Sequence, residues 1–122
     1  MQYMMLIRHD DPGMAKMTAA EWQQFGADYG AFNAAIAKAD VAFGPGNRLE
    51  PSAKSRTVRI RDGKRQVLDG PYADTKEQLA SYFTLDVPDL DQAIAWAARC
   101  PSARAGSIEI RPIWTVMESQ ND

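Results

Sequence analysis

The sequence predicts a single α+β domain in which strands and helices alternate in the order βαββαβ, with one additional β-hairpin. Three features support this prediction. Two capping boxes each precede an amphipathic segment, an Asp-Gly pair separates two strand-forming segments, and short apolar segments bounded by turn residues occupy the remaining strand positions. The 122 residues correspond to one domain, residues 1–122, and an apolar fraction of 45% is sufficient for a hydrophobic core.

The first strand is predicted at residues 3–8, before the segment HDDPG at residues 9–13, which favours a loop. Alternate residues on both faces of this strand are largely apolar. Because a sheet with one solvated face needs apolar residues on one side only, we expect both faces to be covered.

The first helix is predicted to begin at Thr18, since Thr18 and Glu21 form a T-x-x-E capping box and Met17 and Trp22 occupy the positions of a hydrophobic staple. Its apolar residues recur every three or four positions and are mostly aromatic: Trp22, Phe25, Tyr29, Phe32 and Ile36. This spacing favours packing in the core over a cofactor slot.

The second strand is expected at residues 41–43, after the helix ends at Asp40, and Gly44-Pro45-Gly46 predicts a bend or bulge. This triplet lacks the spacing and the following helix of a phosphate-binding loop. No nucleotide site and no cofactor are therefore predicted.

Residues 55–61 and 64–69 flank Asp62-Gly63, the pair favoured in a two-residue type I′ turn. Such a turn sets a register in which Arg56 lies opposite Asp69. Two interpretations remain open: a structural ion pair that tethers the following turn, or a buried guanidinium and carboxylate at the mouth of a pocket, fixing a small anionic or polar ligand.

A turn is expected at residues 69–72, and the DTKE segment at 74–77 predicts a capping box and about one turn of helix. A strand at residues 80–87 follows. Asp89 and Gln92 form another capping box and begin a second helix, which Cys100-Pro101 ends. Three of its apolar residues are expected to share a face: Leu90, Ile94 and Ala97.

A closing strand is predicted at residues 107–114, with Pro112 at an edge or bulge, and the polar tail 118–122 is expected to be frayed. This order of elements matches a ferredoxin-like βαββαβ fold with an extra hairpin and both helices on one face of the sheet. The other face is too apolar to leave in water, so a homodimer is predicted.

The charge balance and the single cysteine narrow the classes of function. With 14 basic and 16 acidic residues, the chain has no global positive field, so neither nucleic acid nor a membrane is an expected partner.

Cys100 has no second cysteine with which to form a disulfide, and it lacks the ligand spacing of a zinc site, so no metal is predicted. The N-terminus does not resemble a signal peptide, and a cytoplasmic location is expected.

Residues 69–79, DGPYADTKEQL, resemble the signature of the DGPF-domain (YCII-related) family, with Tyr72 where phenylalanine is usual and Asp74 where glutamate is usual. The similarity covers nearly the whole chain. It includes the opening YMMLIRHDD, RL-x-PSA at 48–53, TVR at 57–59, VPDLD at 87–91 and IRPIW at 110–114.

The resemblance implies a dimeric α/β barrel, a frequent association with extracytoplasmic-function sigma factors and no settled activity. Some relatives in the wider superfamily are enzymes that use a His and Asp pair. Residues 18–38 of this chain contain no histidine. That pair is therefore not carried over.

His9 is the only histidine and the candidate general acid or base, because its ordinary pKa lies near neutrality. Asp11 is placed to orient the ring if the strand continues that far. The alternative is a solvated histidine at a strand end. The predicted catalytic residues are His9 and Asp69, and the predicted ligand-binding residues are Arg56, Tyr72, Thr75 and Lys76.

Two classes of function follow. The first is a dimer that binds or transforms a small polar or anionic molecule in a pocket near the DGPY turn. The alternative is a non-catalytic interaction protein, for example a regulatory partner of a sigma factor. A concave cavity favours the first, and a filled core with an exposed apolar patch favours the second.

Overall fold

Strands and helices follow the predicted order in the computed structural model, which describes residues 1–115 apart from the side chain of Pro45. The predicted tail 118–122 lies outside the described residues. The elements are β1 (Gln2–His9), α1 (Asp11–Ala15), α2 (Ala19–Lys38), β2 (Ala42–Arg48), a 3₁₀ turn (Ser52–Lys54), β3 (Arg56–Arg61), β4 (Lys64–Asp69), β5 (Gln78–Asp86), α3 (Leu90–Arg99), α4 (Ser102–Ala105) and β6 (Ser107–Pro112).

Two antiparallel sheets organise the chain. The larger has four strands in the order β2-β5-β1-β6, and β3 and β4 form a separate two-stranded sheet. The four-stranded sheet is open, with β2 and β6 at its edges. Pro112 is the last residue of edge strand β6, as predicted, where its missing N–H does not interrupt a ladder.

The hydrophobic core lies between one face of the large sheet and the two longer helices. Tyr3, Met5 and Ile7 of β1 are buried together with Phe32 and Ile36 of α2, and Ala93 and Ala97 of α3 belong to the same cluster. Both helices therefore pack on one face, as predicted. We call the opposite side, which carries Met4, Leu6 and Arg8 of β1 and Glu109 and Arg111 of β6, the helix-free face.

The predicted start of the first helix is confirmed. Thr18 N–H donates to Glu21 Oε1 at 2.9 Å, and Glu21 N–H donates to Thr18 Oγ1 at 3.1 Å, so the capping box is reciprocal. The helix ends at Lys38, and Asp40 follows in the left-handed region at φ 57°. The two capping-box bonds between Thr18 and Glu21 satisfy two of the amide donors that a helix start leaves without partners.

The hairpin and its register are also confirmed. Asp62 and Gly63 have φ values of 52° and 72°, the positive pair that a type I′ turn requires, and Arg56 lies opposite Asp69. The predicted bulge in β2 is present as a break in its pairing with β5 between Gly44 and Asn47. The strand continues beyond this bulge to Arg48.

Two local predictions are wrong, one for the segment before β5 and one for the segment after β1. Residues 74–77 are not helical, because the side chain of Gln78 donates to the carbonyls of Ala73 and Thr75, at 2.8 Å and 2.9 Å, and holds the segment as a turn. The expected loop after β1 contains the short helix α1, with Pro12 in its first turn, where a missing N–H costs nothing.

Of the three residues expected to share a face of α3, only Ala97 is buried. Leu90 and Ile94 are 47% and 48% exposed, whereas Ala93 and Ala97 are buried. Two faces with helical spacing compete on this short helix, and the face with alanines packs against the sheet. Small side chains allow the helix backbone to approach the strands closely. The short helix α4, directly after this helix, was not predicted.

Candidate functional site

A cavity of about 1100 Å³ lies between α2 and the helix-bearing face of the large sheet. Aromatic side chains from α2, β2 and β5 supply much of its wall: Trp22, Phe25, Tyr29, Phe43 and Phe83. Three of these belong to the α2 stripe that was predicted to pack in the core, and they are only partly buried. An apolar concave wall with a few polar groups is typical of small-molecule sites.

His9 lies on the inner wall of this cavity. It is the last residue of β1 and continues the alternation of Tyr3, Met5 and Ile7, so its ring faces the helices and is only 6% exposed. Its Nε2 lies 2.9 Å from Ser102 Oγ at the start of α4. The predicted candidate base is therefore a buried side chain and not a solvated residue at a strand end.

Ser102 connects His9 to a longer hydrogen-bonded network. Its hydroxyl also bonds to the hydroxyl of Tyr29, and Cys100 Sγ donates to Tyr29 Oη at 3.3 Å. Sequence reasoning missed Ser102. The hydroxyl of Tyr29 on an otherwise apolar stripe was the available signal, because a buried tyrosine usually needs a hydrogen-bond partner.

Burial keeps this network uncharged. Desolvation lowers the pKa of His9 below its ordinary value, and the nearby Arg48 guanidinium lowers it further, while Glu77 and Asp11 oppose the shift. Burial also raises the pKa of the Tyr29 phenol and of the Cys100 thiol. Near neutral pH the imidazole is therefore unprotonated and able to accept a proton.

As the only histidine, His9 allows a direct test by NMR. We expect its ring resonances to titrate with a pKa below about 6.5, the value in an unfolded chain. Below about pH 6.5, the unfolded chain then binds more protons at His9 than the folded chain does. The free energy of unfolding should therefore fall as the pH drops from the unfolded pKa to the folded pKa of His9. Above the unfolded pKa, His9 should contribute no change with pH. Denaturant melts at several pH values should show this loss, and His9→Gln should remove it. A ring pKa at or above about 6.5 would contradict the burial argument.

Asp11 does not orient the histidine ring. Its Oδ2 accepts hydrogen bonds from the Ser52 amide at 3.0 Å and the Ser52 hydroxyl at 2.7 Å, and so ties α1 to the 3₁₀ turn. The strand ends at His9, and the predicted route from Asp11 to the ring is lost because α1 begins there. Asp11 still lines the cavity.

The other predicted site residues lie on the hairpin and the turn that follows it. Arg56 Nε and Asp69 Oδ1 are 3.1 Å apart, so the predicted pair forms, but the side chains are 55% and 90% exposed. Tyr72, Thr75 and Lys76 are also exposed, and none of these five residues lines the cavity. Of the predicted site residues, the structure brings only His9 to the cavity.

Within residues 1–115, no group of three or more His, Cys, Asp or Glu side chains could hold a metal ion. In the same part of the chain, no helix has both the length and the hydropathy needed to cross a membrane.

Comparison with known proteins identifies a family and a relative. The family model described as "YCII-related domain" matches residues 1–117. An uncharacterized protein of Rhizobium meliloti (strain 1021) is 40% identical to the chain over 72 residues, which are 57% of the chain and 58% of the relative. The aligned part therefore spans little more than half of that relative's length, and the relative's description names no activity.

Proposed function

The chain belongs to the YCII-related domain family. We propose that it binds a small polar or anionic molecule in the cavity between α2 and the sheet, with His9 as the acid–base residue. The observation that carries the proposal is the buried imidazole of His9 on the inner wall of an aromatic cavity, where burial lowers its pKa. A neutral imidazole with a depressed pKa can take a proton from a bound molecule near pH 7.

The hydrogen bonds around His9 support this role. Ser102 fixes the ring through Nε2, and Tyr29 in turn fixes Ser102, so the imidazole is held by two elements other than its own strand. A base that is oriented in advance loses little entropy when its substrate binds. The cavity volume of about 1100 Å³ also leaves room for a molecule beside the ring.

We also propose a ferredoxin-like arrangement that assembles as a homodimer. The sheet order β2-β5-β1-β6 supports the ferredoxin-like arrangement. Met4 and Leu6 on the helix-free face are only partly buried, and the hairpin exposes Val58, Ile60 and Val67 at 60%, 59% and 54%. A second copy would cover these surfaces, and an isolated hairpin is otherwise marginally stable in water.

The predicted site residues of the hairpin and the following turn can take part in binding or catalysis only in the proposed homodimer. Asp69 as a catalytic carboxylate, and Arg56, Tyr72, Thr75 and Lys76 as ligand contacts, are exposed in a single chain. Their functional roles therefore require a second subunit that encloses them.

A pair of glycines on α2 provides the test of the cavity. A Cβ at Gly26 or at Gly30 would meet no atom within 4 Å, and of the two only Gly26 lines the cavity. We expect Gly26→Trp to weaken binding of a neutral aromatic probe, 1-naphthamide, by at least about tenfold in calorimetric titrations, because the indole occupies the space of the probe. Gly30→Trp should bind like the native chain.

Both substitutions should leave the unfolding free energy unchanged or slightly higher, since glycine is a poor residue in a helix interior. A loss of binding in Gly26→Trp is then not a loss of fold. Unchanged binding by this variant, or no binding by the native chain, would contradict the proposed cavity site.

A second candidate is a non-catalytic interaction protein. The exposed apolar side chains of the hairpin, Val58, Ile60 and Val67, support it, because such surfaces often contact other proteins. A sigma factor is the partner class that the family resemblance implies. The absence of probe binding, together with a stable fold, would favour this candidate.

A further inference from the structure

Arg48 is the only arginine or lysine among the described residues that line the cavity. It is the last residue of β2 and pairs with Ser81 on β5, beyond the bulge. Its guanidinium carbon lies 4.9 Å from the centroid of the Trp22 ring on α2. A cation–π contact with an indole uses none of the N–H hydrogen bonds of a guanidinium, so these donors remain available to a ligand.

The two carboxylates of the cavity wall are engaged elsewhere. Asp11 accepts two hydrogen bonds from Ser52, and Glu50 Oε2 lies 3.2 Å from Lys54 Nζ. None of the ion pairs between described residues includes Arg48. A positive, planar group thus borders an aromatic cavity without a carboxylate partner.

The cation and His9 border the same cavity. Arg48 is one of the groups that lower the pKa of His9, so its field extends to the imidazole. One small molecule that spans the cavity can therefore contact both side chains. A negative group on the ligand would be attracted to Arg48 and not to the neutral ring.

We infer that the cavity takes a small carboxylate with an aromatic or otherwise apolar body, held by Arg48 through a two-point hydrogen-bonded contact. This inference rests on the proposed function and names the class of its ligand. The planar guanidinium matches the geometry of a carboxylate, and the aromatic wall packs against the body of the molecule. The end of the ligand near His9 would carry the proton that is exchanged.

Two probes of the same shape test this assignment, 1-naphthoate and its neutral amide, 1-naphthamide. We expect the native chain to bind the carboxylate at least about tenfold more tightly, since a hydrogen bond to a charged group is worth that much. Arg48→Gln should reduce naphthoate affinity to that of the amide and leave naphthamide affinity unchanged. Arg48→Lys should retain only part of the preference, because an ammonium cannot form the planar contact.

Arg99 offers a matched control. Its guanidinium carbon lies 4.6 Å from the centroid of the Trp96 ring, a similar cation–π contact, but Arg99 does not line the cavity. Arg99→Gln should therefore leave both affinities at native values. Because Arg48 is exposed, its variants should unfold at the native denaturant concentration, which checks that any change in binding is local.

The outcomes separate the ligand class from the proposed function. Equal affinities for the two probes in the native chain would overturn the carboxylate inference and leave the cavity site standing. A preference for naphthoate that survives in Arg48→Gln would overturn the role of Arg48. Binding of neither probe would overturn both the inference and the proposed function.

Discussion

Phe32→Ala is expected to lower the free energy of unfolding by about 3–5 kcal/mol, the cost of removing a large aromatic side chain from a core. Phe32 is 5% exposed and lies in the C-terminal half of α2. Its ring meets the rings of Tyr29, Phe83 and Trp96 edge-on, with centroids 6.3 Å, 6.2 Å and 6.2 Å apart. The substitution therefore removes contacts from α2 to both β5 and α3.

Phe25→Ala is the matched control for this experiment, and urea unfolding is the measurement. Phe25 lies on the same helix stripe two turns earlier, but it is partly exposed and borders the cavity. Its removal leaves less empty volume among packed atoms and should cost clearly less. If the two variants lost the same stability, the division of α2 into a core half and a cavity half would be wrong.

Local sequence patterns predicted much of the fold because their physical causes are local. Thr18 and Glu21 satisfy a helix start within four residues, and Asp62-Gly63 sets a register from the positive φ values of two residues. The DTKE segment has a similar capping pattern but no helix. Gln78 bonds to its carbonyls, and β5 begins at that residue, so tertiary pairing overrides the local signal.

The site was less predictable. His9 could be selected because it is the only histidine. Its hydrogen-bond partner could not be predicted, because Ser102 is 93 residues away in the sequence. Arg48 has no local feature that distinguishes it from other arginines, and its position over Trp22 follows from the approach of β2 to α2. For Arg56 and Asp69, the register predicted the pairing correctly, but the exposure of the pair depends on which surfaces cover the hairpin.

Leu6→Lys is expected to convert the proposed dimer into single chains. Leu6 lies in the central strand β1, between Tyr82 on β5 and Glu109 on β6, and faces away from the helices. In a single chain, a lysine there can reach water and lies beside the Glu109 carboxylate, so the fold should survive. In a dimer that covers this face, the ammonium would be buried in an apolar contact, at a cost of several kcal/mol.

Light scattering at micromolar concentration gives the decisive masses. The native chain should scatter as twice 13.5 kDa, and Leu6→Lys should scatter as 13.5 kDa with unchanged circular dichroism. Leu90→Lys is the control, because Leu90 is 47% exposed on α3 and lies outside the helix-free face, so this variant should remain a dimer. A native chain that is monomeric would show that Met4 and Leu6 tolerate water. A Leu6→Lys dimer would favour an interface on the hairpin instead, where Val58, Ile60 and Val67 supply a second exposed apolar surface.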